Sequence, residues 1–430
     1  MTLSLFAFIA LLGLTFVGIP IAWAMIGIGF GGVALLRGVD PALAMAGQVA
    51  FETAMSYDLS VVPMFVLMGN LVNHARMSHQ LYEAAHSFVG HRRGGLALAT
   101  ILSCGGFSAI SGSSVATAAT MAKVAIPSMR RFGYSPDFAA ATVAAGGTLG
   151  ILIPPSVVMV VYGILSRTDI GELFVAGILP GALAIVLYLV AIEWTVRRNP
   201  AVGPAGPRST AAQRLALLRP VWPVALLFIA LIGGLYAKVF TPTEGAGIGA
   251  FGALLLALGK RTLTLSSLLR VFAETVRTSA VMFAILIGGL MFANFVNLAG
   301  LTTTLQAWIS SAEVAPLAVV FMIICIYLVL GCVLDSMAMI ILTIPVFFPV
   351  VMQLGYDPVW FGVLVVMVVE LALITPPVGM NVFVISGVFR DIGTGRIFRA
   401  VVPFIAVDLI RVSLLVLFPA LALALPSLMR

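Results

Sequence analysis

The sequence predicts an all-α polytopic membrane protein built from two inverted-topology repeats, each with a re-entrant helical hairpin and a helix broken at a Pro-Pro pair. Three observations carry this. First, 61% of the 430 residues are hydrophobic and 9% are charged, with a mean hydropathy of +1.17. No water-soluble core needs that much apolar surface. Second, the chain copies itself at an offset of 222: Gly133-Tyr134-Ser135-Pro136 answers Gly355-Tyr356-Asp357-Pro358, and Asp169-Ile170-Gly171 answers Asp391-Ile392-Gly393. From Ser113 to Gly171 the copies share 15 identities in 59 ungapped positions, against roughly one in ten expected for so apolar a composition. Third, each copy carries adjacent prolines, Pro154-Pro155 and Pro376-Pro377, inside a long apolar run. Duplicated halves with paired, interrupted helices mark a secondary transporter whose site lies between the halves.

The elements follow in order. Segments near 3–18 and 20–36 form a helical pair, and 61–76 is a third crossing. Ala22-Trp23-Ala24 looks like a leader-cleavage site, but no basic residues precede it. Pro20, Ala24 and Gly27 also match Pro242, Ala246 and Gly249, so the segment is expected to stay in the mature chain. The apolar stretch 94–129 is interrupted between Cys104 and Ser114; His91-Arg92-Arg93 precede it and Arg130-Arg131 follow it. Arms of about 15 residues with basic residues at both ends are too short to cross twice and read as a hairpin whose tip stops at mid-membrane. Backbone opened at that depth is tolerated only within protein or against a cavity, so the tip should line a site. A broken crossing at 136–166 and a crossing at 173–194 complete the first repeat (1–194). A basic, Pro- and Gly-rich linker spans 195–219. The second repeat (220–430) runs 220–236, 245–258, 278–297, a hairpin at 314–350, a broken crossing at 358–388, and 400–425.

Basic residues set the orientation. With His91–Arg93 cytoplasmic and segments alternating, seventeen Lys and Arg, Arg76 among them, fall in cytoplasmic loops; only Arg37, Arg167, Lys238 and Arg430 fall opposite. Both termini are then periplasmic and the second hairpin opens outward, so inversion of the repeats follows from the charge count. The net charge of +7 is explained by this topology rather than by nucleic acid.

Candidate chemistry is concentrated at the interruptions. Ser108, Ser111, Ser113 and Ser114 crowd the first tip, with Gly105, Gly106 and Gly112 expected to free the backbone. Hydroxyls and open carbonyls suit a dehydrated monovalent cation; tight helix packing is the plainer alternative. The proline pairs remove backbone donors, so carbonyls of 150–153 and 372–375 should lack intrahelical partners. First half-helices then offer carbonyl oxygen to a cation, and second half-helices offer N–H groups and a positive dipole to an anion. Simple kinks are the alternative. Asp335 occupies the second tip, where Ser113 stands in the first, and suits a cation ligand or its orienter. Glu370, matching Thr148, suits either ligation or a tie to backbone near the break. Asp408 and Arg411, one turn apart, should pair. Lys123 reads as a snorkelling lysine. The pairs Asn70/Asn73 and Asn294/Asn297 are expected to bond a hairpin or a break. Cys104, Cys325 and Cys332 read as small core residues, and the four histidines between 74 and 91 as part of an interfacial helix.

The runs Gly106–Ala116, Pro127–Tyr134, Ile153–Ser156 and Glu370–Asn381 resemble the large membrane subunit of tripartite ATP-independent periplasmic (TRAP) transporters, with a likeness covering essentially the whole chain. The resemblance implies an elevator-type, sodium-coupled permease of the bacterial inner membrane, importing an organic acid anion such as a dicarboxylate, keto acid or sugar acid. It also implies two partners, a small four-helix membrane subunit and a periplasmic substrate-binding protein. Carried over, one sodium site would use Ser108, Ser111, Gly112 and the carbonyls around Gly147 and Ile151. The other would use Gly331, Asp335, Thr375 and Met380. Substrate would lie near Ser113, Ser156, Ser336 and Asn381, with sodium the coupling ion and no cofactor. A stand-alone sodium-coupled carboxylate symporter without a binding protein is the alternative. A membrane-embedded enzyme is disfavoured, because the buried acids are scattered and no His or Cys faces them at catalytic spacing.

Overall fold

The repeated motifs turn out to be helix stops and starts. The computed structural model describes residues 2–75, 77–311 and 315–429; Arg76 and Arg430 of the charge count and Val314 at the expected start of the second hairpin lie outside them. The first repeat runs α1 (Thr2–Phe16), α2 (Ile21–Arg37), α3 (Val39–Met55), α4 (Val61–His74), α5 (Met77–Val89), α6 (Gly95–Ser111), α7 (Ser114–Arg131), α8 (Pro136–Thr148), α9 (Val157–Ser166) and α10 (Ile170–Arg198). The linker holds α11 (Ala211–Leu218). The second repeat runs α12 (Trp222–Tyr236), α13 (Pro242–Gly259), α14 (Leu265–Leu298), α15 (Leu301–Ser311), α16 (Pro316–Leu330), α17 (Ser336–Gln353), α18 (Pro358–Ala372), α19 (Met380–Val388) and α20 (Thr394–Leu417), followed by α21 (Ala420–Ser427). Among the described residues there is no strand.

Gly133 and Gly355 explain why the Gly-Tyr-x-Pro motif recurs. Both sit in the left-handed region, at φ +78° and +81°, where a side chain is disfavoured. Each reverses the chain after a hairpin arm: Tyr134 N–H reaches back to Met129 O at 3.0 Å and Tyr356 N–H to Val351 O at 3.4 Å. Pro136 and Pro358 then open the next helices, where a missing N–H costs nothing. The Tyr134 hydroxyl accepts from Leu96 N–H at 3.1 Å, which brings the end of the first hairpin back beside its beginning. In the second hairpin Tyr327 of α16 hydrogen-bonds Thr343 of α17, eight residues to either side of Asp335. Both stretches are therefore hairpins.

Two contacts fix the relative direction of the broken helices. Tyr162, late in the first, donates to Pro358 O at the start of the second at 2.6 Å; Asn381, late in the second, donates to Ala144 O early in the first at 3.1 Å. The broken helices therefore run antiparallel, as inverted repeats require. Their inner halves form the most deeply buried part of the molecule, with α18 buried along almost its whole length.

Several boundaries differ from the sequence reading. Helix α3 was absent from it, because Asp40, Gln48 and Glu52 interrupt the apolar run. Together α3 and α4 form one path bent by 61°, whereas the counterpart in the second repeat is the single 34-residue α14, longer than the expected 278–297. The amphipathic α15, counterpart of α5, and the linker helix α11 were also missing from the expected order.

Candidate functional site

Each hairpin tip lies against the break of its own repeat. The first tip opens only at Gly112, whose φ is +59°. Gly105 and Gly106 do not free the backbone as expected; they lie inside α6, where a Cβ on Gly105 would meet Ile185 at 2.7 Å. A Cβ on Gly112 would stand 2.9 Å from Pro155 O, and one on Gly150 only 2.5 Å from Ser113 O. In the second repeat the same junction is made with the glycine on the other side: a Cβ on Gly331 of the tip would lie 2.1 Å from Ala372 Cβ. Cys332 Sγ reaches Pro376 O at 3.6 Å. Both proline pairs are joined by cis peptide bonds.

The two tips are capped alike. Ser113 Oγ accepts from Ala116 N–H at 3.4 Å. At the matching position Asp335 Oδ1 accepts from Met337 and Ala338 N–H at 2.9 and 3.1 Å, so one carboxylate oxygen of Asp335 serves the N-terminus of α17. Ser336 is the first residue of that helix. Ser111 Oγ pairs with Thr117 Oγ1 at 2.6 Å.

The breaks satisfy part of their own backbone. Ser156 donates its only proton to Ile151 O at 2.5 Å and accepts from Met159 N–H at 3.3 Å. It therefore has no hydrogen left to offer a solute. Asn381 N–H closes onto Leu373 O at 3.1 Å, and Thr375 Oγ1 donates to Leu371 O at 2.6 Å. Carbonyls of Ile151 and Leu373 thus have partners that the sequence reading did not supply.

Several buried acceptors are left over, one on the first hairpin and one after the second break among them. Ser108 Oγ and Asn381 Oδ1 are fully buried and have no hydrogen-bond partner among the described residues. Asn381 Nδ2 lies 3.1 Å from the position of a Cβ on Gly147, so this side chain of the second repeat stands beside the carbonyl-rich end of α8. Reversing its amide would set two carbonyl oxygens 3.1 Å apart at Ala144, which fixes the orphan as the oxygen. An orphaned buried acceptor is costly unless something electropositive reaches it. Ser108, Ser111 and Gly112 stand at the end of α6, Gly112 against the first break that also holds Ile151, and Gly147 lies beside Asn381; Gly331 and Asp335 lie on the second tip, and Thr375 and Met380 flank the second break. Against the first tip a small cavity of about 110 Å³ separates Ser111 and Ser113 from Asn70 and Asn73 of α4 and Thr278 of α14.

A buried ionic chain lies behind the breaks. Arg411 Nη2 is 2.6 Å from Glu370 Oε2 and 2.9 Å from Asp408 Oδ1, all three side chains essentially without exposure. Tyr188 donates to Asp408 Oδ2 at 2.7 Å and lies 3.1 Å from Thr148 Oγ1. Thr148 and Glu370, equivalent positions of the two repeats, thus sit at opposite ends of one chain. The Asp408–Arg411 pair is as expected. Glu370 is tied through Oε2 to Arg411, a side chain of α20, rather than to backbone, and its Oε1 has no hydrogen-bond partner among the described residues. Tyr188 was missed; the signal available was that Glu370 and Asp408 exceed Arg411 by one charge and call for a further polar partner. The asparagines also depart from expectation: Asn70 donates to Thr275 at 3.0 Å and Asn297 accepts from Thr302 at 3.0 Å, neither bond going to a hairpin or break.

Comparison with known proteins places these features in context. Residues 8–421 match the family model described as the tripartite ATP-independent periplasmic transporter, DctM component. The chain is 36% identical over 378 residues to the C4-dicarboxylate TRAP transporter large permease protein DctM of Pseudomonas aeruginosa, covering 88% of each chain. It is 32% identical over 418 residues to the sialic acid TRAP transporter large permease protein SiaM of Vibrio cholerae, covering 97% of each. Its fold is similar to that of the crystallised Alcanivorax borkumensis YdaH transporter, with a TM-score of 0.61, 16% identity and 90% of each chain covered.

Proposed function

The chain belongs to the tripartite ATP-independent periplasmic transporters as their large permease, or DctM, component, and from that premise we propose that it imports an organic acid anion under a sodium gradient. It is a multi-pass protein of a bacterial inner membrane in this reading, working with a small membrane subunit and a periplasmic binding protein that hands over the anion.

The pair of orphaned acceptors, Ser108 Oγ and Asn381 Oδ1, is the observation that carries the sodium assignment. Sodium prefers several neutral oxygens, and a hairpin end packed on a helix break supplies them from carbonyls, a hydroxyl and an amide. The anion is served by the opposite polarity. Helices α7 and α9 both begin at the first junction, where a Cβ on Gly112 would stand 3.6 Å from Val157 N, and helix N-termini favour negative charge. Sodium bound at the C-terminal ends of α6 and α8 orders the tip and completes the anion site between the tips; hairpins and broken helices then cross as one body.

Proteoliposomes holding the permease with its small subunit test this with labelled succinate and labelled sialic acid. Uptake is expected for one of them only with both inward sodium and the cognate binding protein. Uptake needing sodium but no binding protein would favour the stand-alone symporter, and uptake indifferent to sodium would overturn the coupling. Ser108→Ala is a sharper probe, since it removes one orphan with little change in volume. Half-saturating sodium is expected to rise by about tenfold, the equivalent of one weak ligand at ~1.4 kcal/mol, while the maximal rate is kept. An unchanged sodium curve would take Ser108 out of the site.

A further inference from the structure

The cavity at the first tip continues. It shares Asn73 and Thr120 with a larger space of about 650 Å³ that runs along α7 to Lys123 and to the exposed face of α5. Ser113, Thr120 and Lys123 are spaced by seven and three residues, which puts them on one helical face. One strip of the hairpin arm therefore lines the route from tip to surface. Asn73 faces it from α4.

These groups are not consumed by the fold. Among the described residues the side chains of Asn73, Thr120 and Lys123 make no hydrogen bond or ion pair. At the mouth Glu83 is opposed by His79 at 3.5 Å, and Lys260 joins through Gln80. Snorkelling accounts for an exposed lysine. Half-buried Thr120 and exposed Asn73 continue the same polar wall from Lys123 to the first tip.

We infer that this strip is the cytoplasmic exit for the anion, with Thr120 and Asn73 as hydrogen-bonding steps and Lys123 as an electrostatic station that draws the carboxylate out. The inference rests on the reading that the first tip faces the solute, and on the orientation given by the basic residues. Its charge logic is simple. The tip holds the anion by dipoles alone, so a full positive charge placed beyond it tilts the path toward release.

Thiol labelling needs no knowledge of the substrate. In inside-out vesicles carrying the whole complex, Thr120→Cys and Asn73→Cys are reacted separately with an anionic sulfonatoethyl and a cationic trimethylammonioethyl methanethiosulfonate, and modification at the introduced thiol is read by peptide mass spectrometry. Both positions are expected to react from this face and much more slowly in right-side-out vesicles. The anionic-to-cationic rate ratio should fall on the order of fivefold when Lys123→Gln is added. Protection of both thiols from the cytoplasmic face, or a ratio indifferent to Lys123→Gln, would overturn the exit. Labelling as expected beside uptake that ignores sodium and Ser108→Ala would leave the route standing and remove the site; the reverse pair of results removes the route alone.

Discussion

Arg411→Met is expected to be among the most destabilising single substitutions in the chain, at about 3–5 kcal/mol, because it leaves Glu370 and Asp408 as uncompensated carboxylates in a fully buried setting. The hydroxyl of Tyr188, which connects Asp408 to Thr148 at the first break, cannot replace the lost positive charge. Glu370→Gln should be milder, at roughly 1–2 kcal/mol, since it removes the excess negative charge and leaves Arg411 with Asp408 in a one-to-one pair. The triple substitution Arg411→Met, Glu370→Leu, Asp408→Leu should recover most of the loss, because well-packed apolar side chains often replace a buried ionic cluster at little cost. Thermal unfolding of the purified protein in detergent measures the series. If Arg411→Met melted within a few degrees of the parent, or if the triple variant were worse than the single one, the three charges would not depend on each other as described.

What the sequence revealed depended on how local its causes are. The Gly-Tyr-x-Pro motifs and the proline pairs act within a turn of themselves, through φ and missing donors, so hairpins, breaks and the repeat offset were all legible. The inverted orientation was legible too, because loop charge follows topology, and the antiparallel broken helices agree with it. Helix extents near the site were harder. Gly105 and Gly106 looked like loop residues and lie inside α6, and only contact with Ile185 of α10 shows why Gly105 is small. Side-chain partners across elements were the least accessible. Glu370 with Arg411, and Asn381 with Ala144, are 41 and 237 residues apart, and no periodicity registers such pairs. The placement of Ser156 belongs here as well: it resembles a solute ligand in sequence and is a stitch across its own break in structure.

The junction of tip and break yields the second large effect, and it differs between the repeats in a way that can be exploited. Position 150 is glycine because the backbone of Ser113 sits 2.5 Å from any Cβ there; the matching position 372 is alanine, and the hairpin supplies the glycine at 331 instead. Gly331→Ala would drive two Cβ atoms to 2.1 Å, far inside contact distance, so the second tip must lift by roughly 1–2 Å or distort its helix. On the proposed reading that the second tip carries ion ligands, displacement on that scale is expected to lower uptake on the order of 100-fold, with a stability loss of only about 1–3 kcal/mol. Because the clash is with the Ala372 methyl, Ala372→Gly in the same chain should restore much of the uptake, reproducing in the second repeat the small residue that the first has at Gly150. Gly150→Ala has no such remedy, since what it meets is the main chain of Ser113. Parallel uptake and melting measurements on Gly331→Ala, the double variant and Gly150→Ala decide the matter. A double variant as impaired as Gly331→Ala alone would show that contact between tip and break is not what positions the hairpin.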